Sequence, residues 1–222
     1  MNYTKDINSA LRDFSAGKKE DAYKKIKRIF NKNKNDDQLR FNLAVIAQSL
    51  NLNEEARENY KFLIDKNSNH KAMINLYLLY IHEANYVNAL DVIEKLINTS
   101  SDVNAIIKDK AFVLYKLKKH DESINICESS LRINNDINFL NILGLNYFAK
   151  KKFDKSKKIF QEALKIDNDN PFVLNSLGRL YHEIRDSKNA EKYLLRAYNL
   201  KKNSYEIINN LAGFYREEGM YD

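Results

Sequence analysis

The sequence predicts an all-α protein built from antiparallel helix pairs, and three observations predict it. Turn formers are scarce: five glycines and one proline occur in 222 residues. A β-sandwich or barrel needs a turn residue at roughly every tenth position, and a doubly wound α/β sheet needs glycine-rich loops after its strands. The composition, 44% hydrophobic and 30% charged, is that of a folded chain and too apolar for disorder. The third observation is a double periodicity of small residues, which a sheet protein has no reason to keep.

The first small-residue series is Ala22, Ala56, Ala89, Ser123, Ser156 and Ala190, at spacings of 34, 33, 34, 33 and 34. Twelve residues before each lies a second series, Ala10, Ala44, Tyr77, Ala111, Gly144 and Gly178, continued by Ala212. Each period therefore holds two amphipathic helices joined by a short polar turn. Leu140, Leu143, Gly144 and Tyr147 fall at helical spacing, then Lys150, Lys151 and Lys152 turn the chain, then Ser156, Phe160, Ala163 and Leu164 form the second stripe. The next period repeats this with Leu174, Leu177, Gly178 and Tyr181, then Ala190, Leu194, Ala197 and Tyr198. Two antiparallel helices approach closely only where neither carries a bulky side chain, which places Gly178 across a close contact from Ala190. Asn170 and Pro171 read as a cap and first-turn proline that start a helix. The expectation is thirteen helices and no strand.

These residues resemble the tetratricopeptide repeat, a 34-residue helix-turn-helix unit with a Leu-Gly, Tyr, Ala, Phe, Pro pattern. The repeat 137–170 matches it best through Leu143, Gly144, Tyr147, Phe160 and Ala163, with Asn168 where proline is usual. The resemblance covers repeats 3–36, 37–69, 70–103, 104–136, 137–170 and 171–204, with a partial seventh at 205–222. Early repeats depart from the pattern: Asp13 stands in the tyrosine slot, and Tyr77 fills a small-residue slot, where it should force its helix pair apart. The first repeat has the looseness of a terminal cap. Ile208, Leu211, Ala212 and Tyr215 make a regular first helix, with Gly219, Tyr221 and Asp222 in the following turn. A helix with an apolar face and no partner suggests a piece of a longer protein. The family implies a right-handed superhelical solenoid whose first helices line a concave face.

No catalytic, metal or cofactor site emerges from the residue pattern. His82-Glu83 and His182-Glu183 lack the second histidine, four residues on, that a zinc helix requires. His120 takes the slot of Tyr86 and Phe153 and reads as a packing substitute. Cys127, the one cysteine, takes the slot of Tyr60 and Phe160 and reads as a buried thiol. No glycine-rich phosphate loop is present. The longest apolar run, 76–81, is too short to span a bilayer, and Met1–Leu11 has no signal-peptide core, so the chain reads as cytoplasmic.

Binding is then the expected function. Two positions before each small slot of the first helices stands the row Asn8, Asn42, Asn75, Asp109, Ile142, Ser176 and Asn210. An asparagine both donates to and accepts from a peptide backbone, so such a row can hold an extended chain. It is similar to the asparagine ladder of the O-linked N-acetylglucosamine transferase superhelix, and would need Asn42, Asn75 and Asn210 to be solvent-accessible. On the same face lie Phe112, Tyr115, Leu145, Phe148, Arg179 and His182. The lysine and asparagine set with which related chaperone adaptors clamp a C-terminal carboxylate is missing, since Phe112 stands where asparagine would follow Lys108.

The expected partner is a protein or peptide bound by a non-enzymatic scaffold. An alternative is the substrate-recognition region of a larger glycosyltransferase or sulfotransferase; an RNA-binding helical repeat is a third reading. The formal charge of +7 favours nucleic acid only weakly, because 28 lysines, 9 arginines and 30 asparagines are what an AT-rich genome writes. Lys18, Lys19, Lys116, Lys118, Lys119, Lys150, Lys151 and Lys152 gather in or beside turns within repeats, forming a basic edge that reads first as solvated surface.

Overall fold

The computed structural model describes residues 3–100 and 103–219. Thirteen α-helices and no strand occur among them. The chain divides into two compact units, Met1–Val103 and Asn104–Asp222. The N-terminal unit pairs α1 (Thr4–Ser15) with α2 (Lys19–Lys32), α3 (Asp37–Ser49) with α4 (Asn53–Asn67), and α5 (His70–His82) with α6 (Tyr86–Thr99). The C-terminal unit pairs α7 (Asn104–Lys116) with α8 (His120–Leu131), α9 (Ile137–Ala149) with α10 (Phe153–Ile166), and α11 (Pro171–Glu183) with α12 (Ser187–Leu200), then adds α13 (Tyr205–Glu217). Tyr221 and Asp222, which the sequence places in the turn after α13, lie outside the described residues.

First helices start where a side chain can satisfy their free amide groups. Asp36 accepts from the Leu39 N–H, Asn69 from Ala72, Asp136 from Asn138, and Asn170 from both Phe172 and Val173, the last ahead of a proline that needs no partner. They end in a common turn. Gly17, Asn51, Ala84, Lys118, Lys151 and Arg185 all adopt positive φ, from 55° to 81°, and Gly219 continues the series. The next amide closes the Schellman bond back across five residues, as in Leu52 N–H to the Ala47 carbonyl and Asp186 N–H to the Tyr181 carbonyl. This reverses the chain within three residues and sets the second helix antiparallel.

The small residues hold the pairs together. Ala10, Ala22, Ala44, Ala56, Ala89, Ala111, Ser123, Ser156 and Ala190 are fully buried. Ser123 donates to the Ala111 carbonyl at 2.7 Å and Ser156 to the Gly144 carbonyl at 2.8 Å, each twelve residues back. Both serines therefore lie directly on the backbone of the small residue in the other series. The space left by each missing Cβ is filled four residues further along the second helix. A Cβ added to Gly144 would stand 2.7 Å from Phe160 Cδ1, and one added to Gly178 would stand 2.7 Å from Leu194 Cγ. Leu194, rather than Ala190, is thus the residue that requires glycine at 178. Tyr77, in its small-residue slot, is buried. Ala212 is exposed, in contrast to its counterparts.

Candidate functional site

In the C-terminal unit three first helices from successive repeats converge on a groove of about 350 Å³. The α7 side contributes Lys108, Asp109, Phe112, Tyr115 and Lys116. Asn138, Asn141 and Leu145 of α9 and Phe172 and Arg179 of α11 face them, with Glu206 of α13 at one end. Ile142 and Ser176 form the floor; both are buried, and the Ser176 hydroxyl donates to the Phe172 carbonyl of its own helix.

Aromatic faces and cations are interleaved around this groove. Lys116 Nζ stands 5.3 Å from the Phe112 ring centre and 5.7 Å from that of Tyr115. The Arg179 guanidinium lies 5.5 Å above Phe148, whose ring also tilts against Phe153. Such arrangements attract through the ring quadrupole and hold the cations over apolar surface. Burial raises the Tyr115 hydroxyl above the usual phenol range; the Arg179 charge opposes that shift and the Glu206 charge reinforces it. The phenol therefore stays protonated, a hydrogen-bond donor at neutral pH. Asn141 adds an unsatisfied group: its side-chain carbonyl is buried without a hydrogen-bond partner.

Of the residues singled out in the sequence, Asp109, Phe112, Tyr115, Ile142, Leu145, Ser176 and Arg179 line this groove, and Phe148 sits under Arg179. His182 and Asn210 lie outside the lining. His182 Nε2 is 3.3 Å from a Glu217 carboxylate oxygen and its ring meets the edge of Phe214, while Asn210 donates to buried Asn175 at 3.0 Å. In the N-terminal unit Asn8 is exposed. Asn42 is half-buried and accepts from Gln38, and Asn75, also half-buried, donates to the Tyr60 hydroxyl at 3.2 Å. Asn75 and Asn210, expected to be open to solvent, are thus engaged within the fold, whereas Asn42 bonds an exposed glutamine of its own helix.

The row two positions before the small slot turns inward at Ile142 and Ser176. Each residue advances the helix by about 100°, so the position one earlier, Asn141, comes to the groove. Asn141, Phe172 and Glu206 were not singled out from the sequence. His120 does more than pack: its Nδ1 hydrogen-bonds the side-chain oxygen of fully buried Asn146 at 3.0 Å. Asn146 in turn donates to Ser123 and to the Ile142 carbonyl. Cys127 is buried, and burial pushes its thiol up to about 12, which leaves no thiolate at neutral pH. Among the described residues no group of three His, Cys, Asp or Glu could hold a metal ion. No helix among them is long and apolar enough to cross a membrane.

Repeated helix pairs, a shared register of small residues and a groove along the first helices define a helical-repeat interaction scaffold. Residues 74–207 match the family described as Psidin, N-terminal TPR repeats region. The chain belongs to the tetratricopeptide-repeat family. No curated protein matches it in sequence. Among solved structures it is similar to a tetratricopeptide repeat protein from Parabacteroides merdae, with a TM-score of 0.88 and 13% identity, covering 98% of this chain and 87% of that one. It is also similar to PilF of Pseudomonas aeruginosa, with a TM-score of 0.63 and 18% identity over 95% of this chain and 96% of that one. YrrB, a TPR protein with an unusual peptide-binding site, matches with a TM-score of 0.56 and 18% identity over 83% of this chain and 96% of that one.

Proposed function

We propose that the chain is a non-catalytic scaffold that binds an extended segment of another protein in the groove on α7, α9 and α11. The observation that carries this reading is the convergence of aromatic faces and charge-bearing side chains on one groove. Apolar peptide side chains take the surface between Phe112 and Leu145. The peptide-binding site named for YrrB supports the same class of ligand. In the N-terminal unit Asn8, Asn42 and Asn75 are proposed as hydrogen-bonding contacts for ligands of that class.

The test is selection of groove-binding peptides from a displayed library, followed by titration against variants. Tyr115→Ala and Arg179→Ala should each weaken the selected peptides by roughly 1–2 kcal/mol, as anchors of an interface do. Unchanged affinity in both folded variants would overturn the groove assignment. For the N-terminal row, Asn42→Ala combined with Asn75→Ala should weaken peptides that contact the N-terminal unit and leave unchanged those that use only the groove.

A further inference from the structure

We infer that the intra-repeat turns of the C-terminal unit form a docking edge for an acidic protein segment. The left-handed turn position favours glycine, because any Cβ there meets the following carbonyl. In the C-terminal unit that position holds a cation in each complete repeat: Lys118 with φ 60°, Lys151 with φ 55° and Arg185 with φ 63°. In the N-terminal unit the equivalent residues are Gly17, Asn51 and Ala84. Lysine-rich coding would load both sets alike, so composition does not explain the difference. All three cations are exposed, and none is drawn into an ion pair among the described residues.

Two features of the same edge indicate what it takes. Of the helices that follow, α8 and α10 have Lys119 and Lys152 at the cap position with no side-chain acceptor for their first amide groups, whereas Asp186 caps α12. Two lysines of this edge hold carboxylates. Lys150 pairs with Asp121 of the preceding repeat, and Lys119 lies 3.4 Å from Glu122. The Lys150–Asp121 pair also shows that successive turns stand side by side, so an extended chain running along them meets one cation per repeat. The rings at these turns, His120 and Phe153, are half-buried and packed on Tyr115 and Phe148. They offer no face for the base stacking on which single-stranded RNA binding depends. Aspartate and glutamate side chains of a partner protein are therefore the ligand class this edge fits.

The turn conformation supplies its own control. Lys118→Gly, Lys151→Gly and Arg185→Gly together remove three charges while relaxing the backbone, so lost binding cannot come from lost folding. The full chain should bind a fluorescein-labelled polyglutamate peptide with an affinity that falls as salt rises. The triple glycine variant should bind roughly tenfold more weakly and melt no earlier than the parent. Asn51→Gly with Ala84→Gly should leave peptide affinity unchanged. Equal polyglutamate affinity in the triple variant and the parent would overturn the proposal. So would tighter binding of a single-stranded RNA, or of phosphatidylserine vesicles, that the same three substitutions abolish.

Discussion

Helices α9 and α13 occupy the same place in their repeats and share much of their pattern. Leu143, Gly144 and Tyr147 correspond to Leu211, Ala212 and Tyr215. Each tyrosine reaches back to a glutamate of the preceding second helix, Tyr147 to Glu128 at 2.8 Å and Tyr215 to Glu191 at 3.0 Å. They differ on the other face. α9 receives α10, so Gly144 is buried under Phe160 and its carbonyl accepts from Ser156. On α13 Ala212 is exposed, and a Cβ added to Gly213 would meet nothing within 4 Å. The periodic small residue is thus buried where a second helix packs on it and exposed at Ala212.

Four measurements can break or sharpen that contrast. Gly144→Ala should cost about 1–3 kcal/mol, because the new methyl meets a fully buried ring that cannot swing aside. A urea midpoint that fails to move would mean α9 and α10 are less closely packed than described. Ser156→Ala should cost about 1 kcal/mol, the net value of one buried hydrogen bond. Its partner on the glycine carbonyl is removed while the contact itself stays, so the effect should be smaller than that of Gly144→Ala in the same titration. Gly213→Ala should have the opposite sign and stabilise the chain by roughly 0.5–1 kcal/mol, since a helix gains from alanine where space is open. Destabilisation in thermal melts would show that a partner covers this part of α13.

The gentlest probe is alkaline pH. Burial first, then the bond to Glu128, pushes the Tyr147 phenol up to about 12 from 10.0. The protonated form is favoured in the folded state, so its stabilisation is complete below pH 10.0 and is lost as pH rises toward 12. Tyr215 shifts in the same direction from the same causes, burial and Glu191. Melting temperature should fall across this window, and Tyr147→Phe should flatten the fall. A curve of unchanged slope in that variant would place the titrating group elsewhere, with Tyr60, buried and also near 12, as the next residue to replace.

The helix pairing was readable because a close contact restricts residue type: only a small side chain fits, and it recurs at 33 or 34 residues. The hydroxyls of Ser123 and Ser156 on carbonyls twelve residues back are the direct counterpart of that spacing. The turns were placed by the same spacing, but the left-handed residue within each, at 17, 51, 84, 118, 151, 185 and 219, was not readable. The backbone there is set by the helices on either side, and glycine, asparagine, alanine, lysine and arginine all accept it. The groove was legible only in part. Tyr115 and Arg179 follow from their register on first helices, whereas Asn141 was missed because one residue of rotation separates the groove from the buried floor. Asn75 and Asn210 found acceptors within the fold, Tyr60 and Asn175, that no linear pattern names.

The tie from Asn210 to Asn175 spans 35 residues and that from Tyr3 to Asp36 spans 33, about one repeat each. Helices that pack on one another are neighbours in the chain or next but one. Long loops need not close before contacts form, so each unit should collapse fast, from whichever repeat nucleates first. Mechanical or chemical stress should in turn peel a unit from an end, one helix pair at a time, and amide exchange should be quickest at the outer helices of each unit and slowest at the inner ones.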